Sequence, residues 1–495
     1  MFVLRCLLLV VLAVPGARAA GVSAADLALI DRVTWGANEP TVAQFAAMGR
    51  AKWLQWQLHP QQSNAEALPA VAQAEIDALP VATTPLPALF AEMLARQKAA
   101  GAVADPEAKR VAQGEYQQWL NETAKQGAAR AILRDLYAPT QLREQMTWFW
   151  FNHFNVHQYK SDVRVTVSDY EDRAIRPHAL GRFRDLLGAT LRHPAMLRYL
   201  DNAENSVGKI NENYAREILE LHTMGVGSGY SQHDIEELAR ALTGFGIDAK
   251  ANFKPEMGDR LVRDGLFAFN PARHDFGDKV FLGQRIKGEG TPEVDRVLDI
   301  LARQPATARH LSAQMAVFFY GDNPPAGLVE RMAQGFLRSD GDIAPVLDIL
   351  FKAPELTGAA PRFKDPMHYV LSAVRMAYGE RVILNTAPVQ GWLGRLAEGI
   401  YNHETPDGFS MSAAAWNGPG QLAVRFEIAR QIGSGSAGLF KVGTVDQPGF
   451  PQLQNALYYE GLRARLGTQT RAALEQATSP QDWNTLFLCS PEFMF

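Results

Sequence analysis

The segment NENYAREILELHTMG, residues 211–225, concentrates groups that can do acid–base or ligand chemistry. On a helix, residues four apart share a face. Glu212, Arg216 and Glu220 then line up as acid, base and acid, with Asn213 and Glu217 in the neighbouring row. Tyr214, Ile218 and Leu221 make the apolar stripe that faces a core. His222 falls in the last turn, where an imidazolium would meet the negative end of the helix dipole. Three carboxylates, the Asn211 and Asn213 amides and a histidine suit a divalent metal or general acid–base work. The competing reading is a solvated, ion-paired helix face, worth about 0.2–0.5 kcal/mol per pair.

Two further clusters could join it. In WFWFNHFNVH (148–157), His153 and His157 are four apart, the spacing by which two imidazoles on one helix grip one ion. Phe154 stands where the zinc-protease motif needs Glu, and the aromatic surroundings favour a buried, hydrogen-bonded His153. In RHDFGDK (273–279), Asp275 follows His274 and could orient its ring or share a metal, although Asp and Gly equally mark a turn. The candidate catalytic set is therefore His153, Glu212, Arg216, Glu217, Glu220, His222, His274 and Asp275. Glu217 or Glu220 would be the general base or metal ligand, since a carboxylate beside arginine should have a lowered pKa. If instead these groups bond one another, they form a buried structural network between helices.

Mostly helices must position these groups. Thr41 can cap a helix running through Phe45, Trp53 and Trp56 to a stop at His59-Pro60. Pro-rich PVATTPLPAL (80–89) reads as a connector. Helical blocks then cover residues 90–157, 169–200, 211–224 and 232–243, the third closed by Gly225, Gly227 and Gly229. Residues 246–290, rich in Gly and Asp with short apolar pieces, read as a β-hairpin-like insertion. Helices return from about 292 onward. The predicted fold is mainly α, a large multi-helix body with that small insertion. Residues 20–90 form an N-terminal helical segment and connector, and 91–495 the main helical domain.

Residues 1–19, MFVLRCLLLVVLAVPGARA, read as a Sec-type signal peptide, with Arg5 before a short apolar run and Ala17-Arg18-Ala19 before the cut at Ala20. The expected location is periplasmic or secreted, with no membrane span after cleavage, because no later stretch is long and apolar enough. Of two cysteines, cleavage leaves Cys489, so the mature chain has no intramolecular disulfide. The 495 residues are 47% hydrophobic and 21% charged with a formal charge of −4, which argues against disorder and against a dedicated nucleic-acid binder. The chain has no GxSxG, P-loop or CxxC, and the GxGxxG match at 433–438 follows a helical segment rather than a strand.

Taken together, FWFNHF (149–154), NENYAREILELHTMGVGSGYSQ (211–232), ELARALTGF (237–245), HDFGDKVFLG (274–283), PATARHLSAQMAVFFYGDNPP (305–325), SDGDI (339–343) and SPEFMF (490–495) resemble the bacterial family called domain of unknown function 1800. The chain departs from the family pattern at Phe151 and Gln304 (commonly His), Phe245 (commonly Trp) and Gln314 (commonly Lys), and His157 lies outside it. A site built on those positions would be incomplete here. The resemblance implies an exported, largely helical protein and carries no reaction with it. It also implies a neighbouring exported partner with a sulfatase-like fold, from the family called domain of unknown function 1501. Two functions stay open: a hydrolase with a Glu/His/Arg site on helix 211–224, or a non-catalytic scaffold or accessory protein for that partner.

Overall fold

A helix with aromatic side chains on every face can only be buried. Trp148, Phe149, Trp150 and Phe151 impose this on Gln141–His153, which runs through the middle of the molecule with nearly every residue inaccessible. Its polar groups are answered in place. Glu144 takes a two-pronged bond from Arg176 (2.8 and 2.6 Å), Gln141 Nε2 donates to Asp135 O and Ala138 O, and Trp150 Nε1 donates to Ala179 O. The computed structural model describes residues 22–60, 67–248, 261–442 and 448–495. The leader read in 1–19, its cut site and part of the insertion lie outside those residues.

Around this centre the chain is mainly helical. Pro106–Tyr137 is the longest helix, capped by Asp105 with proline at its first position. One hydrophobic core spans the chain from Leu27 to Met494, and a satellite core joins Leu89, Phe90 and Met93 to Leu120, Val165 and Leu266. Residue 90, the boundary drawn from sequence, lies inside the helix Leu86–Ala102. Of the prolines in the 80–89 connector, Pro80 and Pro87 sit in the first turns of Pro80–Thr83 and Leu86–Ala102, and Pro85 is the N-cap residue of the latter. The single helix expected from Thr41 is two, Glu39–Met48 and Arg50–Leu58. Asn38, not Thr41, caps the first by accepting Thr41 N, and Gly49 at φ +75° separates them.

The insertion contains two small antiparallel sheets. β1 (Phe245–Ile247) and β2 (Val262–Asp264) flank β3 (Phe267–Phe269), with Phe245 opposite Phe269. β4 (Lys279–Phe281) pairs with β5 (Gln284–Ile286). The helix Gln232–Ala241 receives the second sheet: Glu237 accepts Val280 N and Asp234 accepts Leu282 N. Among the described residues no helix is long and apolar enough to cross a membrane.

The first and last parts of the chain are tied through Arg375 on the helix Pro366–Tyr378. Its buried guanidinium donates to Gly36 O (3.2 Å), Leu136 O (2.5 Å) and Thr41 Oγ1 (2.9 Å). Gly36 is required there: its φ is +104°, and a Cβ would lie 2.4 Å from that of Ser372. Burial pulls Arg375 down to about 10, so it stays charged at neutral pH. Arg375→Leu would orphan three acceptors at about 1–3 kcal/mol each, partly offset by relief of the buried charge. The expected net loss is about 2–4 kcal/mol, measured as a lower urea midpoint. An unchanged midpoint would show that the guanidinium contributes no net stability.

Candidate functional site

The 211–222 segment is not one α-helix. Asn213–Glu217 is α-helical and Ile218–His222 winds as a π turn. The wider turn carries Leu219 and His222 inward, while Leu221 is only half-buried. On the outer face the ladder forms as spaced. Arg216 Nη2 meets Glu212 Oε2 at 3.2 Å and Nη1 meets Glu220 Oε1 at 3.4 Å, with Gln232 bridging Arg216 and Glu212. These side chains are about a third exposed. Glu217 departs from the lowered pKa expected beside arginine. Burial, then Glu220 and Asp407, raise it and outweigh Arg216.

His222 reverses the helix-dipole expectation. It is fully buried, and neither ring nitrogen has a hydrogen-bond partner among the described residues. Burial, with His153 and His310 adding, pushes it well below the ordinary imidazole range, so it is neutral. The helix Gln141–His153 ends at His153, so His157 is not one helical turn away and packs on Tyr159 instead. His153 joins His222, with ring centroids 5.9 Å apart, and also His310, a residue absent from the sequence-derived set. His153 Nδ1 lies 2.8 Å from the Gln314 amide and Nε2 3.0 Å from His222 O. His310 Nε2 lies 3.1 Å from both Leu221 O and Gln314. With the Gln314 amide turned so that its nitrogen faces His153, each of these donors meets an acceptor and the rings are neutral. Burial lowers His153 to about 4 and also lowers His310, in agreement.

His274 and Asp275 stand apart, making no hydrogen bond, ion pair or ring contact with the other six candidates. His274 Nδ1 bonds Thr243 O at 2.7 Å, and Nε2 lies against Glu293, which also takes Lys279 Nζ at 2.9 Å. Asp275 is gripped by Arg240 at 2.8 Å; that hydrogen bond is the main cause holding its carboxyl below the usual range. Both clusters fasten the insertion to the helices Gln232–Ala241 and Thr291–Ala302. Among the described residues no group of three or more His, Cys, Asp or Glu is disposed to hold a metal ion.

A different cavity gathers titratable groups that sequence reasoning passed over. In RFKDPMH (362–368), Asp365 caps the helix Pro366–Tyr378, accepting His368 N at 2.8 Å. The same carboxylate lies 2.8 and 2.9 Å from His368 Nδ1, and Arg362 Nη2 lies 2.9 Å from that nitrogen; an ionised carboxylate can only accept, so the tautomer that serves Asp365 carries its proton on Nδ1. Nε2 has no hydrogen-bond partner among the described residues, and the ring lines a cavity of about 70 Å³. Trp35 packs 4.5 Å from the imidazole and Phe318 5.5 Å from it. Arg32, Arg362, Lys364 and Arg465 line the same cavity with Asp31 and the last residue, Phe495; Arg362 is ion-paired with Asp365 at 2.5 Å and Lys364 lies 3.9 Å from Asp31. Arg32 gives its bonds to the carbonyls of Phe319, Tyr320, Ala359 and Ala360, so no carboxylate cancels its charge at contact. Burial would raise Asp31, but Lys364 and Arg465 outweigh it and hold the carboxyl low. Burial lowers His368, with Arg362 and Lys364 adding and Asp365 opposing. Burial likewise would raise Asp365, yet His368 and Arg362 hold it far below the carboxylate range. A neutral imidazole backed by an ionised carboxylate is a general base, and the surrounding charge favours anions. The sequence signal was local: an Asp before a helix-starting proline, with His three residues on, amid alternating charge.

The fold and cavity define a mainly helical protein with a buried Asp–His pair under a cationic rim. The chain belongs to the family described as protein of unknown function (DUF1800), whose sequence model matches residues 28–495. No curated protein and no solved structure matches it.

His153, His222, His310 and His368 all bind a proton less readily folded than unfolded. Their contribution is therefore complete above the unfolded value of 6.5 and is lost as pH falls below it. His153 alone accounts for about 3 kcal/mol between pH 6.5 and 4. Urea midpoints should drop steadily over that interval, less steeply in His153→Gln. A midpoint level from pH 7 to 4 would refute the neutral-histidine assignment.

Proposed function

We propose that the chain is an exported hydrolase of anionic esters, with His368 as general base. The observation that supports this reading is the His368 ring. Asp365 lies at Nδ1, and Nε2 has no partner among the described residues, on a residue lining a cavity with Arg32, Lys364, Arg465 and the Asp365-paired Arg362. In this reading His368 Nε2 takes a proton from the water whose oxygen attacks the ester centre, the bond from that centre to the alcohol oxygen breaks, and the imidazolium returns the proton to the leaving alcohol. Asp365 fixes the tautomer and stabilises the imidazolium, and the cations hold the anionic group and the developing negative charge. Trp35 and Phe318 exclude bulk water from one side of the ring.

The test is hydrolysis of nitrophenyl phosphates, sulfates and dicarboxylate half-esters by the mature protein. His368→Asn should lower kcat about 10²–10⁴-fold without changing the far-ultraviolet circular dichroism. Because the base must be neutral and burial lowers it, activity should rise with pH through a value below 6.5 and stay level above it. Turnover untouched by His368→Asn would remove the assignment.

A second reading keeps the chemistry on the 211–222 segment, favoured by the raised Glu217. A carboxyl lifted by burial and by Glu220 is suited to donate a proton. His222, with its unpartnered nitrogens, and His153 would lie behind it, and Glu212, Arg216 and Glu220 would form the rim, open to a substrate or to a sulfatase-like partner. Under that reading Glu217→Gln, not His368→Asn, would abolish turnover of the same panel.

A further inference from the structure

The cationic cavity does not end at its rim. A second cavity of about 350 Å³ shares Asp31, Pro361, Lys364, Arg465 and Phe495 with it. Beyond that common wall the lining changes character, to Met376, Leu462, Leu466, Phe487 and Phe493. The acid on that side, Glu492, is engaged by Gly467 N at 2.6 Å and Thr470 Oγ1 at 2.7 Å. Lys364 stands on the boundary. Its ammonium donates to Phe493 O at 2.7 Å and lies 4.3 Å from the centre of the Phe493 ring, so its position is fixed. Arg465 stands there too, makes no ion pair or side-chain hydrogen bond among the described residues, and reaches Asp31 only through the longer-range field. Its guanidinium donors therefore meet no acceptor among the described residues.

We infer that the two cavities form one site for an amphiphilic anion, a small oxyanion carrying a single apolar group. This rests on the reading of the His368 cavity as a substrate site and names the substrate class. The first cavity has the volume of about two waters at roughly 30 Å³ each, enough for one phosphate, sulfate or carboxylate head. The second has about a dozen waters' volume, which suits one aryl ring or one acyl chain of medium length, not a two-chain lipid. The head binds Arg465 beside Lys364 and Arg32, within reach of the face that carries His368. The tail displaces water from Leu462, Leu466 and Phe487. Each buried methylene should tighten binding about fourfold.

The experiment is calorimetric titration of the mature protein at pH 7 with inorganic phosphate, butyl phosphate, octyl phosphate below its critical micelle concentration, and octanol. Octyl phosphate should bind at least tenfold tighter than butyl phosphate, and inorganic phosphate and octanol should bind weakest. Arg465→Gln should weaken both alkyl phosphates about tenfold or more. Leu462→Gln, at a half-buried position, should flatten the chain-length dependence and leave butyl phosphate nearly unchanged. Affinity indifferent to chain length, or alkyl phosphate binding unmoved by Arg465→Gln, overturns the inference. The two readings fail separately. Chain-length-dependent binding that persists in His368→Asn without turnover in any protein supports the amphiphile site and removes the base. Ester hydrolysis with a KM independent of chain length keeps the base and overturns the amphiphile site.

Discussion

Main-chain carbonyls at helix ends and in buried loops need donors, and in this chain cationic side chains supply many of them. Arg32 closes four carbonyls, Arg375 two, and Arg130, Arg273, Arg362, Arg425 and Lys364 one or more each. Burying a guanidinium is costly, yet it brings five donors in a fixed fork, and each one used removes an orphaned acceptor. Arg425 shows the limit. It lies between the rings of Phe363 and Tyr369, 4.7 Å from each centre, bonds Lys364 O through one nitrogen, and leaves Nε and Nη1 without partners among the described residues.

The cavity at His368 follows from that arrangement. A carbonyl accepts a hydrogen bond without neutralising the charge of its donor. Arg32 and Lys364 are thus satisfied as donors while still acting on their surroundings as cations. Lys364, with Arg465, holds Asp31 ionised against burial and, with Arg362, helps keep His368 neutral, while His368 and Arg362 hold Asp365 low. The scaffold that closes the loops 318–320 and 359–365 is the source of the site's electrostatics.

How much of this the sequence discloses depends on range. The helical class, the insertion near 246–290 and the Glu212–Arg216–Glu220 ladder rest on local spacing, and all are present. The π turn at Ile218–His222 leaves no mark in the periodicity, because one extra residue in a turn changes which side chains face inward without changing their types. It therefore defeated the expectation for His222 and Leu221. Gln314 was visible only as a departure from the family pattern, although it bridges His153 and His310. The His368 cavity was hardest to see, since its walls come from residues near 31, 318, 362, 465 and 495. In sequence each of those arginines resembles an ordinary surface charge.

The same scatter of walls has a consequence for synthesis. A ribosome releases Asp31 and Arg32 long before Arg465, so the Asp365–His368 pair exists in a growing chain while its pocket is still open. A nascent chain, or one broken off before Arg465, carries Asp365, His368, Arg32, Arg362 and Lys364 without the wall that Arg465 and Phe495 complete. The cavity thus takes its final shape only when the residues near 465 and 495 have joined those near 31, 318 and 362.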